Sequence, residues 1–293
     1  MTRILLKTTI PYTPDDWHVG RFSLLAQRLK DDGHDVTATD RIENEHGNDV
    51  DFIRLAEGEW RQLWLFAVDV TGALTRTDCD NIRRFQALGG GAMLTRDHQD
   101  LGSCLVRLGL VGAAHNFHSV NSETDEARRQ RDDPYTHEIS WPNYHSGANG
   151  DVQEISIAEP PHPIFLRSST PEGLIRYLPA HPHEGAVSVP VGAERVARVI
   201  AFGKSKVTGR IFNLAVVFDA HEEDGQRLGR AFAASTFHHF CDYNLDPASG
   251  CPSFVSERPG DEIRRNAEAR KDVLTYFSNI ARWLYGEIRQ AVA

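Results

Sequence analysis

The chain has 293 residues, 40% of them apolar and 25% charged, a globular composition that excludes disorder over its whole length. Its 32 Lys and Arg stand against 41 Asp and Glu, a formal net charge of −9, so the basic surface that duplex nucleic acid or anionic lipid requires is not expected. No apolar stretch reaches the roughly 18 residues of a membrane span, and no secretory hydrophobic region follows Met1, which leads us to expect a cytoplasmic protein. Cys79, Cys104, Cys241 and Cys251 show no zinc-like spacing and are expected to be reduced thiols, whereas 14 His is an unusual number.

Residues 3–9 are an apolar run suited to a buried strand, broken by Pro11 and Pro14. Phe22, Leu24, Leu25 and Leu29 then recur at helical spacing, Gly33 stops that helix, and 34–40 reads as a second strand. After a polar stretch over 43–51, residues 63–68 form a third buried strand ending at Asp69. Thr75 opens a helix running through Asn81 to Leu88, Gly89-Gly90-Gly91 closes it, and 92–95 is the fourth strand. Strands alternating with single helices predict a mostly parallel α/β sheet with helices on both faces.

Residues 120–185 are rich in Pro, His, Asn and charge and read as a loop-rich insertion. Two β-branched runs, 195–201 and 211–218, then suggest a hairpin across Gly203 to Gly209, and 229–240 fits strand or helix equally. From Pro259 one long helix is expected, with Leu274, Phe277, Ala281, Leu284 and Ile288 in a single apolar stripe. Such a stripe needs a partner: its own α/β domain, or the same helix in a homodimer.

In a doubly wound sheet, ligands gather at the carboxyl ends of the parallel strands. Residues at those positions are strongly polar: Tyr12, Trp17 and His18 after the first strand, Asp69 after the third, Arg96, Asp97 and His98 after the fourth, and Asp219 and His221 after the later one. Residues 89–98 predict a sharp strand-to-helix turn that displays Asp97-His98, placed like a nucleophile elbow but with His in the place of Ser or Cys. An imidazole there suits a general base or a metal ligand, and the blander alternative makes Asp97 a helix cap with His98 on the surface. Further histidines cluster at 178–185, with His183 and Glu184, and at 235–244, with His238, His239 and Asp242. Neither cluster has a zinc-motif spacing, and on a strand His238 and His239 would face opposite ways.

The segment 69–75, with Ile82, Phe85, Gly89-Gly90-Gly91, His98, His162-Pro163-Ile164 and the run 209–212 leading to Asp219 and His221, resembles the ThuA-like (trehalose-utilisation) family of the class I glutamine amidotransferase-like superfamily. The resemblance covers most of residues 1–225. It implies a flavodoxin-like three-layer sandwich over 1–247, with 248–293 left as a linker and C-terminal helix. It also places His98 where true amidotransferases carry the catalytic Cys. Glutamine hydrolysis needs that thiolate, and neither Cys104, past the elbow, nor Cys241, beside the His pair, replaces it. Where the family is Gly-rich around the elbow, this chain has Arg96-Asp97 and Gln99-Asp100. No phosphate loop is present, and the triple Gly precedes a strand, so it is no dinucleotide fingerprint.

These readings converge on an enzyme, hydrolase or isomerase-like, acting on a small polar substrate, for which the family resemblance implies a sugar derivative. His98, Asp97, His183 and His239 would be its catalytic residues, with Tyr12, Trp17, Asp69, Arg96, Asp219 and His221 lining the pocket. A divalent metal on His98, His183 and His238 would make it a metal-dependent hydrolase. A third reading is a non-catalytic binding or assembly protein that kept the fold.

Overall fold

Eight strands build one sheet: β1 (Arg3–Thr8), β2 (Asp35–Thr39), β3 (Gln62–Phe66), β4 (Gly91–Thr95), β5 (Ser156–Ile157), β6 (Ala197–Lys204), β7 (Ile211–Phe218) and β8 (Ala231–Ala234). A computed structural model describes residues 1–69, 72–120, 126, 129 and 138–285. The strand order is β2-β1-β3-β4-β8-β7-β6-β5. β2, β1, β3, β4 and β8 run parallel, and β7, β6 and β5 are each antiparallel to the strand before them in that order. The first part of this order is the doubly wound, flavodoxin-like arrangement.

β3, β4 and β8 are buried at every position, which explains their unbroken apolar sequence: a parallel strand covered on both faces has no polar side. Period-two alternation nevertheless sorts their side chains between two cores. Ile4, Leu6, Trp64, Phe66 and Met93 face α1 (Ser23–Asp31) and α4 (Ala267–Tyr285). Leu5, Leu63, Leu65 and Leu94 face α2 (Val50–Ala56) and α3 (Arg76–Ala87). The result is the expected three-layer α/β sandwich.

Local chemistry accounts for the element starts. At α3, the Thr75 hydroxyl accepts from Asp78 N while the Asp78 carboxylate accepts from Thr75 N, a complete capping box. α2 begins inside the stretch that reads as polar loop, because Asp49 caps it by accepting from Asp51 N, and its apolar face is too short to show periodicity. The ambiguous segment 229–240 divides: β8 is a strand, and Phe237–His239 is a 3-10 turn. Within 138–185 the insertion is mostly loop, tied by the short strands Val152–Glu154 and Tyr177–Pro179. No described helix is long and apolar enough to cross a membrane.

α4 docks on its own sheet. Val273, Tyr276, Phe277, Ile280, Ala281 and Leu284 are buried in the core facing α1, while Ile288 lies outside the described residues. Gln62 Nε2 donates to Ala281 O at 2.7 Å, and a Cβ added at Gly91 would collide with the Leu284 carbonyl, so only glycine lets helix and strand approach this closely. At the other end Arg167 bonds Asp272 at 2.6 Å and Glu268 at 2.7 Å. Intramolecular docking therefore accounts for the apolar stripe.

Two predictions follow from this packing. Phe277→Ala should lower the free energy of unfolding by about 3–5 kcal/mol in urea titrations, the usual cost of deleting a buried aromatic ring; a loss below about 1 kcal/mol would mean that the helix is not packed as described. His162 caps the 3-10 turn Pro163–Phe165, and its ring meets Trp283 edge-on at 5.0 Å. Burial, then the charges of Arg198 and Arg230, push its pKa down from 6.5 to about 4. Because the folded pKa lies below the unfolded one, stability is full above pH 6.5 and falls as pH drops towards about 4. His162→Gln should flatten stability measured against pH across that window, and a curve parallel to wild type would refute the assignment.

Candidate functional site

β3, β4 and β8 end on one edge of the sheet, and Asp69, Asp97-His98 and His238-His239 follow those ends. Asp219 and His221 do not join them. β7 runs antiparallel to β8, so Phe218 pairs with Ala231 at the start of β8 and the residues after it emerge at the opposite edge. There His221 Nδ1 sits 2.8 Å from the Asp219 carbonyl and Nε2 3.4 Å from Glu223. The turn after β4 also differs from the expected elbow. Its left-handed residue is Gln99, with φ of 49°, and the next helical element is a 3-10 turn, Ser103–Arg107, not a helix starting at Asp97.

Asp97 is the centre of the cluster and is fully buried. His98 Nδ1 lies 2.9 Å from its Oδ2, His181 Nε2 3.2 Å from Oδ1 and His238 Nε2 3.7 Å from Oδ2, while the Thr236 hydroxyl donates to Oδ1 at 3.1 Å. Burial alone would raise the Asp97 pKa, but His98, His181 and His238 outweigh it and hold the carboxyl well below its ordinary value. His181 is pushed well below its own ordinary value, by burial first and then by His238, so its ring is neutral. His181 and His238 stack at 3.6 Å between centroids, 10° from parallel. Close approach of the 181–185 loop depends on Gly185, where a Cβ would lie 2.5 Å from the Asp97 carbonyl oxygen.

Amide groups behind the two stacked rings assign their protons. Asn244 Nδ2 donates to the Ala180 carbonyl at 2.9 Å and to Asn149 Oδ1 at 2.8 Å. Its Oδ1 therefore faces His238 Nδ1 at 2.7 Å, and Asn149 Oδ1 faces His181 Nδ1 at 2.9 Å. Both Nδ1 atoms must be N–H donors, which leaves both Nε2 atoms turned towards Asp97. His181 Nε2 and His98 Nδ1, though close to the carboxylate, are not aligned for a hydrogen bond and have no other partner.

The remaining expected residues have other surroundings. His183 meets His98 and His181 edge-on at 5.4 Å and 5.6 Å, but its nitrogens face Asn143 at 3.1 Å and Glu257 at 2.9 Å. His239 turns away from Asp97 and lies 3.2 Å from Glu184 in a second, fully buried cluster with Gln153, Ser146 and Ser235. The guanidinium of Arg96 is buried over the Phe117 ring at 4.3 Å and donates to the Gln99 carbonyl, and burial pushes its pKa down to about 9. Asp69 accepts from Thr9 at 2.7 Å and Cys104 at 3.0 Å. Trp17 is buried edge-on to His238 at 4.8 Å, whereas Tyr12 is exposed against His18. His181, Asn149, Thr236 and Asn244 were not singled out from the sequence; only the pairing of His181 with His183 two residues on hinted at the first.

No family model and no curated protein sequence matches the chain. Among solved structures, the mmIFT52 N-terminal domain is similar with a TM-score of 0.54 and 12% identity, covering 97% of this chain and 99% of its own. The glutaminase domain of a Trypanosoma brucei CTPS with bound acivicin scores 0.45 at 13% identity, covering 96% of this chain and 94% of its own. A Parabacteroides merdae protein described as ThuA-like scores 0.47 at 14% identity, covering 89% and 95%. At such identities the likeness to the first is one of fold alone, while the chain itself has the mostly parallel sheet and helical layers of that architecture.

Proposed function

We propose that this protein is a ThuA-like enzyme that performs proton-transfer chemistry, hydrolytic or isomerising, on a small polar substrate, sugar derivatives being the first class to test. The observation that supports this is the environment of His98. Of the three imidazoles around the buried Asp97 carboxylate, His98 is the exposed one, with 18% of its side chain accessible against 4% for His181 and 3% for His238. A buried carboxylate behind one nitrogen of a partly exposed imidazole is a layout for general acid-base catalysis, and such contacts are often poorly aligned before substrate binds. Asp97 holds the imidazolium that forms when His98 takes a proton. His98 then returns that proton to the leaving group or to the neighbouring carbon.

Nucleophilic thiol chemistry has no support. Cys104 is pushed well above the usual thiol range by burial and by Asp69, and burial raises Cys79 to about 11 and Cys241 further still. The more accessible Cys251 lies on the 250s loop. In the folded protein at pH 8, iodoacetamide should therefore modify Cys251 ahead of the other three in peptide mapping, and no ammonia should be released from glutamine above a heat-killed control. Rapid alkylation of Cys104 with glutaminase activity would reverse this reading.

The catalytic proposal is tested by following a panel of sugar, keto-sugar and sugar-acid derivatives by NMR with wild type and His98→Asn. Turnover should appear for at least one compound, and the variant should lose about 100- to 10,000-fold in kcat, the usual contribution of a positioned acid-base group. Wild-type protein that neither binds nor changes any of them, or a variant with undiminished kcat, would sink it.

A further inference from the structure

Two ring nitrogens and a carboxylate converge beyond the end of β4. One donor atom each from Asp97, His181 and His238 falls within 4.8 Å of the other two, and all three residues are buried. The amides of Asn149 and Asn244 have already placed N–H groups on Nδ1 of both rings, so in the neutral imidazoles Nε2 carries the lone pair. The two lone pairs and the carboxylate are all acceptors, and His181 Nε2 has no hydrogen-bond partner. A proton on one ring satisfies one nitrogen only. A cation at the point of convergence satisfies all three.

We propose that Asp97, His181 and His238 are the protein ligands of a divalent first-row transition metal, zinc being the ion to test first. The site needs no catalytic role to exist, so this inference stands apart from the enzymatic reading. Two imidazoles and one carboxylate suit borderline ions such as zinc or ferrous iron and suit calcium or magnesium poorly. With bonds of about 2.0–2.1 Å, tetrahedral ligand atoms sit about 3.3–3.4 Å apart. Each ring nitrogen is near that spacing from one Asp97 oxygen, His181 Nε2 at 3.2 Å from Oδ1 and His238 Nε2 at 3.7 Å from Oδ2, and one donor atom from each of the three residues lies within 4.8 Å of the others. The rings, stacked at 3.6 Å, must tilt apart for one ion to lie in both planes, a motion that can pivot on the Nδ1 hydrogen bonds.

The outer partners have the chemistry of a metal site. Ligand histidines commonly pass their second N–H to a carbonyl or carboxylate acceptor that fixes tautomer and orientation. Asn149 and Asn244 supply that acceptor, and Thr236 donates to Asp97 Oδ1. Three protein ligands leave a fourth position for water or a substrate oxygen. Of the set His98, His183 and His238 expected from sequence, His238 alone belongs to this donor group: His183 is engaged by Asn143 and Glu257, and His98 meets the Asp97 carboxylate from outside it.

The test is metal content and metal spectroscopy, not turnover. Protein purified without a polyhistidine tag should contain about one zinc or iron ion per chain by plasma mass spectrometry. After chelator treatment, cobalt(II) should restore a stoichiometric visible d–d absorption, and zinc should raise the melting temperature. His238→Gln and His181→Gln should lose the cobalt band, His98→Gln should keep it, and Asn149→Leu should weaken zinc binding by about 10- to 100-fold as an outer partner. A folded, stripped wild-type protein that binds neither ion overturns the proposal without any variant, and a cobalt band that survives loss of both histidines does so as well. Metal-loaded protein inactive on every sugar derivative removes the catalytic reading and leaves this one; an active protein that binds no metal does the reverse.

Discussion

The centre of the carboxyl edge of this sheet is one buried carboxylate, Asp97. A buried, ionised Asp is costly unless neighbouring groups replace its hydration, and Asp97 makes no ion pair with lysine or arginine among the described residues. Around it stand three imidazoles and one hydroxyl. Those groups arrive from three segments: His98 from the turn after β4, His181 from the 178–185 loop, and Thr236 and His238 from the chain after β8, with Asn149 fixing His181 from behind.

That requirement explains features that sequence patterns leave arbitrary. The insertion has little regular structure because its task is to carry Asn149 and His181 to a point set by the sheet. Ser146, which bonds the His181 backbone through both its N–H and its hydroxyl, holds the 178–185 loop in place. Gly185 lets the same loop pass against the Asp97 backbone. β8 stops after four residues, which puts His238 and His239 on a 3-10 turn where successive side chains diverge. Their separation into an Asp97 partner and a Glu184 partner is the outcome that strand alternation would also have produced, reached by another geometry.

What could be read in the sequence follows the range of the interaction that causes it. β1, β3, β4, α3 and the β6–β7 hairpin are written in local signals, namely apolar runs, the Thr75 cap and the glycines between strands. α2 was hidden because its start signal, Asp49, sits within a polar run. Asp97 and His98 were visible as strand-end residues. Asp219 and His221 looked equivalent to them, because strand direction is a tertiary property and nothing local marks β7 as reversed. His181 was passed over for the same reason: its significance lies in Asn149 and Asn244, 32 residues before it and 63 after it in sequence.

The molecule contains its own standard for a compensated buried charge. Lys7, at 0% exposure on β1, meets Asp49 at 2.9 Å and Asp51 at 2.7 Å and also bonds the Asp40 carbonyl at 2.8 Å. Arg41 meets Asp78 at 3.0 Å, and Asp78 in turn caps α3. In each case the buried cation meets a carboxylate directly, as expected where an unmade contact costs about 1–3 kcal/mol, and only Arg41 Nη1 is left without a hydrogen-bond partner. In these two networks burial of charge is resolved by direct pairing. Asp97 departs from that pattern, with two nitrogens of fixed tautomer aimed at it and unable to complete the pair. Asp97 lies at the carboxyl edge of a doubly wound sheet, where such folds place their ligands, and the incomplete pairing around it fits the ion site proposed there, whereas Lys7 and Arg41 meet their carboxylates directly.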